Sequence, residues 1–302
     1  MTTETTGTVD IVDEIRRHHR RRRFAMKIQQ KLDRALESFV RVNTTDWSPD
    51  MEEADREVIN KEIKALIKTI RGGEPHDLAD VIATSDQARA PADAMRDTSE
   101  KQMAGLAQRL PVYPWIESMR GAGALGLATI VAEAGDLSNY PNPAKLWKRL
   151  GFAPFEGLAG SSWKRATWRP RALTSEEWIE NPFSGERYAL MHQIVVWLVN
   201  TQWIGKAKTA SGEGEPNGPY GEIYAERRKH TLVTHPDWSD GHRRMDGLRI
   251  AMKAFLKDLH LEWKRCEAAK PEKSARNKRT PPPQAKPQRR KRTPPPQSEA
   301  AE

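Results

Sequence analysis

Apolar residues recur at three- and four-residue spacing through most of this chain, and the first 110 residues carry no convincing strand pattern. Ile28, Leu32, Ala35, Leu36, Phe39 and Val42 predict a helix that continues out of a basic run, Arg16 to Arg23. A second helix is expected from Ser48 as N-cap and Pro49 in the first turn. Its stripe is Ile59, Ile63, Leu66 and Ile70, and it stops at Gly72-Gly73. These two could pair antiparallel, like a short coiled coil. Residues 74–90 read as irregular or a short helix, and Pro91 is expected to begin a helix running to Leu110.

The middle of the chain is punctuated more sharply. A short helix from Tyr113 to Met119, a tight hairpin at Arg120-Gly121-Ala122-Gly123-Ala124 and an apolar helix from Leu125 to Ala134 form a helix-hairpin-helix. Gly135-Asp136 breaks the chain, and a further helix runs from Pro143 to Leu150. Glycine permits positive φ and close backbone approach, and the helix after it turns unpaired N–H groups outward. A phosphate fits such an end, so Arg120, Gly121, Ala122, Gly123, Ala124 and Leu125 are candidate DNA-binding residues. A buried hairpin with no ligand is the alternative. Beyond it, Tyr188, Met191, Ile194, Val195, Leu198 and Gln202 mark a helix from Gly185 to about Trp203. Residues 205–221, rich in Gly and Pro, read as a loop. Leu248, Met252, Phe255, Leu256, Leu259 and Trp263 mark a last helix from Asp246 to about Arg265. The fold class is therefore all-α.

The run RGAGALGLATIVAEAGDLSNYPNPAKLWKRLGFAP resembles the C-terminal core of an insertion-sequence transposase family, the RNA-guided bridge recombinases. Asp136, Tyr140, Pro143, Lys145, Leu146, Gly151 and Pro154 carry the resemblance, which extends loosely through Ser184 to Leu190 and on to Lys264. It implies a helix-hairpin-helix domain bearing a nucleophilic serine, joined in the family to a coiled coil and a RuvC-like DEDD domain. The matching positions for the serine are Ser161 and Ser162, after Gly160, with Lys164, Arg165 and Arg169 following. Those cations could steady a pentavalent phosphorus, but no general base is visible beside them. Two departures stand out. The family's Ser-Gly order is here Gly-Ser-Ser, and a segment with Glu176, Glu177, Trp178 and Glu180 separates this loop from the next matching helix.

A RuvC-like nuclease needs strand-borne carboxylates around divalent metal. Here Glu52, Glu53, Asp55 and Glu57 sit in a helical pattern, so that domain is expected to be absent and no cofactor is expected, Mg²⁺ entering only if a partner supplies a DEDD domain. His230, His235 and His242 are not spaced for zinc, and no metal site is expected.

Charge then sharpens the partner class. The net charge is +9, of which residues 267–302 carry +6 and residues 1–24 carry +2. The tail repeats KRTPPPQ at Lys278 and Lys291, and proline keeps it extended. Both termini suit salt-sensitive binding to DNA or structured RNA, and Lys148, Arg149 and Arg187 add candidate phosphate contacts in the middle. One cysteine, Cys266, excludes a disulfide framework, and no apolar run is long enough to span a membrane, so a soluble, cytoplasmic protein is expected. The organisation read from sequence is a disordered 1–10, a helical 11–110, a helix-hairpin-helix domain at 111–266 and a disordered tail at 267–302. Three functions fit: a DNA-binding, transposase-like accessory or domesticated factor; an active serine recombinase completed by a partner protein or a homo-oligomer; and a helical nucleic-acid-binding scaffold.

Overall fold

The computed structural model describes residues 8–155, 158–159, 183–205 and 214–269. Helix α1 spans Thr8–Thr44, α2 Glu53–Arg71 and α3 Ala79–Gln108. The centre holds α4 (Tyr113–Glu117), α5 (Ala124–Ala134), a 3₁₀ turn at Leu137–Asn139 and α6 (Pro143–Leu150). After these come α7 (Gly185–Thr201), α8 (Pro219–Thr234) and α9 (Asp240–Ala268). Two small antiparallel pairs complete the described residues: β1 (Pro154–Phe155) with β2 (Leu158–Ala159), and β3 (Trp203–Gly205) with β4 (Gly214–Pro216). The all-α reading holds.

α1 lies along α3, and both reach the core that α5, α7 and α9 share. Ile15, Met103, Ile130, Leu146, Val195 and Phe255 belong to that one cluster, so a single apolar core crosses the junction at residues 110 and 111. A smaller cluster at the far end packs Leu36 and Val40 of α1 on Ile63, Ile67 and Ile70 of α2, with Ile82 of α3. The chain through Ala268 is one compact unit.

Several boundaries differ from the sequence reading. α3 does not begin at Pro91 but runs through it, and residues 79–90 are its first turns. Arg89 explains the continuity, because it pairs with Asp93 on α3 and with Asp33 on α1 and fastens the helix on both sides of the proline. α2 starts at Glu53 rather than at Ser48. The Ser48 hydroxyl accepts from Asp50 N at 3.3 Å and its carbonyl from Met51 N at 3.2 Å, closing a turn in place of a first helical turn. Thr8–Asp10, assigned to a disordered terminus, open α1 because Ile11 and Val12 beside them are buried. The stretch 205–221 is not simply a loop, since it holds β4 and the start of α8.

The buried face of α1 also differs. Phe39 and Val42 are exposed, whereas His19, Arg22 and Gln29 are buried. Each buried polar group has a distant partner: Glu133 for His19 at 2.9 Å, Glu100 for Arg22 at 2.7 Å, and Asp93 for Gln29. Burying such groups is tolerable only with partners of this kind.

Candidate nucleic-acid interface

The hairpin between α4 and α5 is shaped by two glycines with different roles. Gly121 has φ +84°, and a Cβ there would lie 1.9 Å from Thr201 Oγ1 and 3.0 Å from Leu198 Cα. The end of α7 passes so close that only glycine fits. Gln202, just after α7, holds the turn from behind. Its Nε2 donates to Arg120 O at 2.9 Å, and its Oε1 accepts from Tyr220 N at 2.9 Å and Gly221 N at 3.3 Å. Gly123 differs from Gly121 in having extended backbone and open space where a Cβ would stand. It is the N-cap of α5 and offers no side-chain cap, so the N–H groups of Ala124, Leu125 and Gly126 have no acceptor among the described residues. Arg120 is exposed beside them.

A groove of about 950 Å³ runs from this hairpin along α5 and α7. Gly123, Leu125 and Thr129 line one side, and Leu190, Ile194 and Trp197 line the other. Trp197 is 70% exposed.

Behind the hairpin the polar break is clamped onto α9. Asp136 Oδ1 accepts from Ser138 N at 2.9 Å and from Trp263 Nε1 at 3.1 Å. Tyr140 donates its hydroxyl to Ala134 O at 2.7 Å, and its own carbonyl lies 2.9 Å from His260 Nε2. α6 then begins with Pro143 in its first turn and Asn142 as cap, which accepts from Lys145 N at 3.1 Å. It ends at Gly151, φ +87°, where a Cβ would press within 3.2 Å of Phe183. Leu146 and Leu150 are fully buried.

Residues 113–173 match the family model described as Transposase IS116/IS110/IS902 family. The matched segment covers about a fifth of the chain and takes in α4 to α6 with the hairpin between them. No curated protein and no solved structure matches.

Within and around the transposase-matching segment, the candidate residues separate into three groups. Arg120, Gly123, Ala124 and Leu125 sit at the open hairpin, with Gly121 and the buried Ala122 behind them. Lys148 and Arg149 are exposed at the end of α6, and Lys148 has no ionic partner among the described residues. Arg149 donates from Nε to Glu133 O at 3.1 Å. Arg187 is turned inward: its Nε donates to Glu133 Oε2 at 2.9 Å and its Nη1 to Arg149 O at 3.0 Å. Ser161, Ser162, Lys164, Arg165 and Arg169 lie outside the described residues.

Glu133 is the acid that organises the cationic neighbourhood. Only 6% exposed, it receives His19, Arg187 and, at 3.6 Å, Arg23. Burial alone would raise its pKa, but the hydrogen bonds from His19 and Arg187 hold it down at about 2. Sequence patterning missed this residue because it stands in the apolar run of α5.

Patterning also missed the extent of the basic face. The Arg16–Arg23 run is partly consumed inside, through Arg22 and the pairs of Arg23. What remains outside continues well past it. Arg17, Arg20, Arg21, Lys27, Lys31 and Arg34 are all exposed and without ion pairs among the described residues. They fall within one broad side of α1, over about 25 Å at the helical rise. Among the described residues no group of three or more His, Cys, Asp and Glu could hold a metal. No described helix is long and apolar enough to cross a membrane.

Proposed function

We propose that this protein is a DNA-binding, transposase-like recombination factor that acts as an accessory or domesticated component, without a nuclease-like half of its own. The observation that carries the reading is the coincidence of the transposase match with a hairpin whose leading amides have no acceptor among the described residues. Those amides take a backbone phosphate, Arg120 and Lys148 add charge, and the unpaired cations of α1 supply sequence-independent attraction. Structured RNA offers the same phosphates and is a second partner for the α1 face. The test is titration of a labelled duplex with the full chain across a salt series. Binding that weakens steeply with salt and weakens further in Gly123→Asp supports the reading. Salt-insensitive binding, or none, refutes it.

The extent of the family match favours a second reading, because residues 113–173 include Ser161 and Ser162. In that reading one of the two hydroxyls attacks a DNA phosphate and expels the 3′ oxygen, while a partner chain supplies the metal-bearing carboxylates. A covalent protein–DNA adduct that disappears in Ser161→Ala or Ser162→Ala, with the partner supplied, would establish it. Its absence under those conditions leaves the accessory role.

A further inference from the structure

The groove beside the hairpin has the chemistry of a nucleotide site; it shares the α5 amides with the duplex contacts above, while Trp197, Arg22 and Arg244 on its walls are not used by them. Its lining contains two arginines, Arg22 and Arg244, and no carboxylate. Arg22 is 92% buried, yet its Nη1 has no hydrogen-bond partner, its Nε alone being taken by Glu100. His192 lines the same wall with an equally unpartnered Nε2. Two unmatched donors or acceptors on one groove wall are open to an outside partner, such as a water, an ion or a polar ligand. At the other end stand the open N–H groups of α5, a helix of 11 residues. Between these polar ends the wall is largely apolar, and Trp197 is an exposed aromatic side chain along it.

We propose that this groove holds an unpaired DNA strand, with a base stacked on Trp197 and phosphates at the α5 amides and at Arg22 and Arg244. The proposal rests on the DNA-binding reading above and names the form of DNA that this part of the surface takes. A cationic channel floored by an exposed aromatic is how proteins hold single strands, since every base has a π-face. The dimensions agree. From Leu190 to Thr201 the wall of α7 is about 16 Å long at the helical rise. A volume of about 950 Å³ is that of a ligand site rather than of a duplex-wide face. Asn200 and Gln193 add amide groups at the rim that can meet base edges. Burial, reinforced by the charge of Arg244, lowers the pKa of His192, so it serves as a neutral hydrogen-bonding partner.

The experiment measures fluorescence anisotropy of a short unpaired oligonucleotide and of its duplex with the full chain and with Trp197→Ala, Trp197→Phe and Arg244→Gln. Trp197→Ala should weaken oligonucleotide binding roughly tenfold, and Trp197→Phe should restore most of it. Arg244→Gln should weaken it too and reduce its salt slope by about 0.7. Duplex affinity should change less than about twofold in all three. Because Trp197 is solvent-exposed, thermal midpoints should match the parent, which separates lost contact from lost fold. Unchanged oligonucleotide binding, or an equal loss for oligonucleotide and duplex, overturns the proposal. A parent chain that binds duplex and not the unpaired strand overturns it while leaving the DNA-binding reading intact. A parent chain that binds neither removes both.

Discussion

Gln202 reaches back 82 residues to donate to the carbonyl of Arg120 at 2.9 Å, while its side-chain oxygen takes two amides at the start of α8. One buried amide thus sets the hairpin against both α7 and α8. Gln202→Leu leaves the Tyr220 and Gly221 N–H groups buried without acceptors, at about 1–3 kcal/mol for each such group. Urea unfolding should show a loss of about 2–6 kcal/mol for the two groups together, and amide exchange around Gly121 should accelerate beyond the global change.

Glu133 predicts an acid limb. Its folded pKa of about 2 lies below the ordinary 4.5, so its contribution is complete above pH 4.5 and is lost as pH falls toward 2. The amount is on the order of 3 kcal/mol. Glu133→Gln should flatten the pH dependence of the unfolding free energy in that window. Glu100 and Asp246, in which arginine partners outweigh burial and hold the carboxyls low, should preserve a residual slope. Glu133→Ala, which strands Arg187, should cost about 3–5 kcal/mol at neutral pH.

The two hairpin glycines should respond in opposite ways. Gly121→Ala forces a Cβ into Thr201 and Leu198 at positive φ and should destabilise by about 2 kcal/mol or more. Lost DNA binding in that variant would therefore report the fold. Gly123→Asp meets no neighbour and supplies the missing N-cap, so its thermal midpoint should hold or rise. Its carboxylate occupies the amides offered to phosphate, and duplex affinity should fall. Stable protein with undiminished affinity would show that the hairpin only shapes the fold.

Changing Arg17, Arg20, Arg21 and Lys27 together to Gln tests the α1 face. If each meets a phosphate, the slope of log affinity against log salt should become shallower by about 3.6, at about 0.9 per contact. Because none of the four side chains has an ion pair among the described residues, stability should change little. An unaltered slope would place duplex binding elsewhere.

The centre of the chain was legible because its boundaries are chemical. Asn142, Pro143 and Gly151 cap α6 by their own backbone preferences, and Gly121 and Gly135 take positive φ where the pattern breaks. The inner face of α1 was not legible. His19, Arg22 and Gln29 look solvated to any reading of periodicity, and their partners lie 114, 78 and 64 residues away. Arg187 misleads for the same reason, since only the folded chain brings it to Glu133. Pro91 was read as a boundary, yet Arg89 pins α3 to α1 at that point and the helix continues.

The clamp of Asp136 and Tyr140 on Trp263 and His260 gives the recognisable stretch a second meaning. The Asp136 carboxylate and the Tyr140 backbone carbonyl hold α9 against the break after α5, and the Tyr140 hydroxyl ties that break to the end of α5. They form a keystone, and removing it would loosen the arch whether or not anything passes beneath. Their place is therefore required by the architecture itself, whatever chemistry the protein carries out elsewhere.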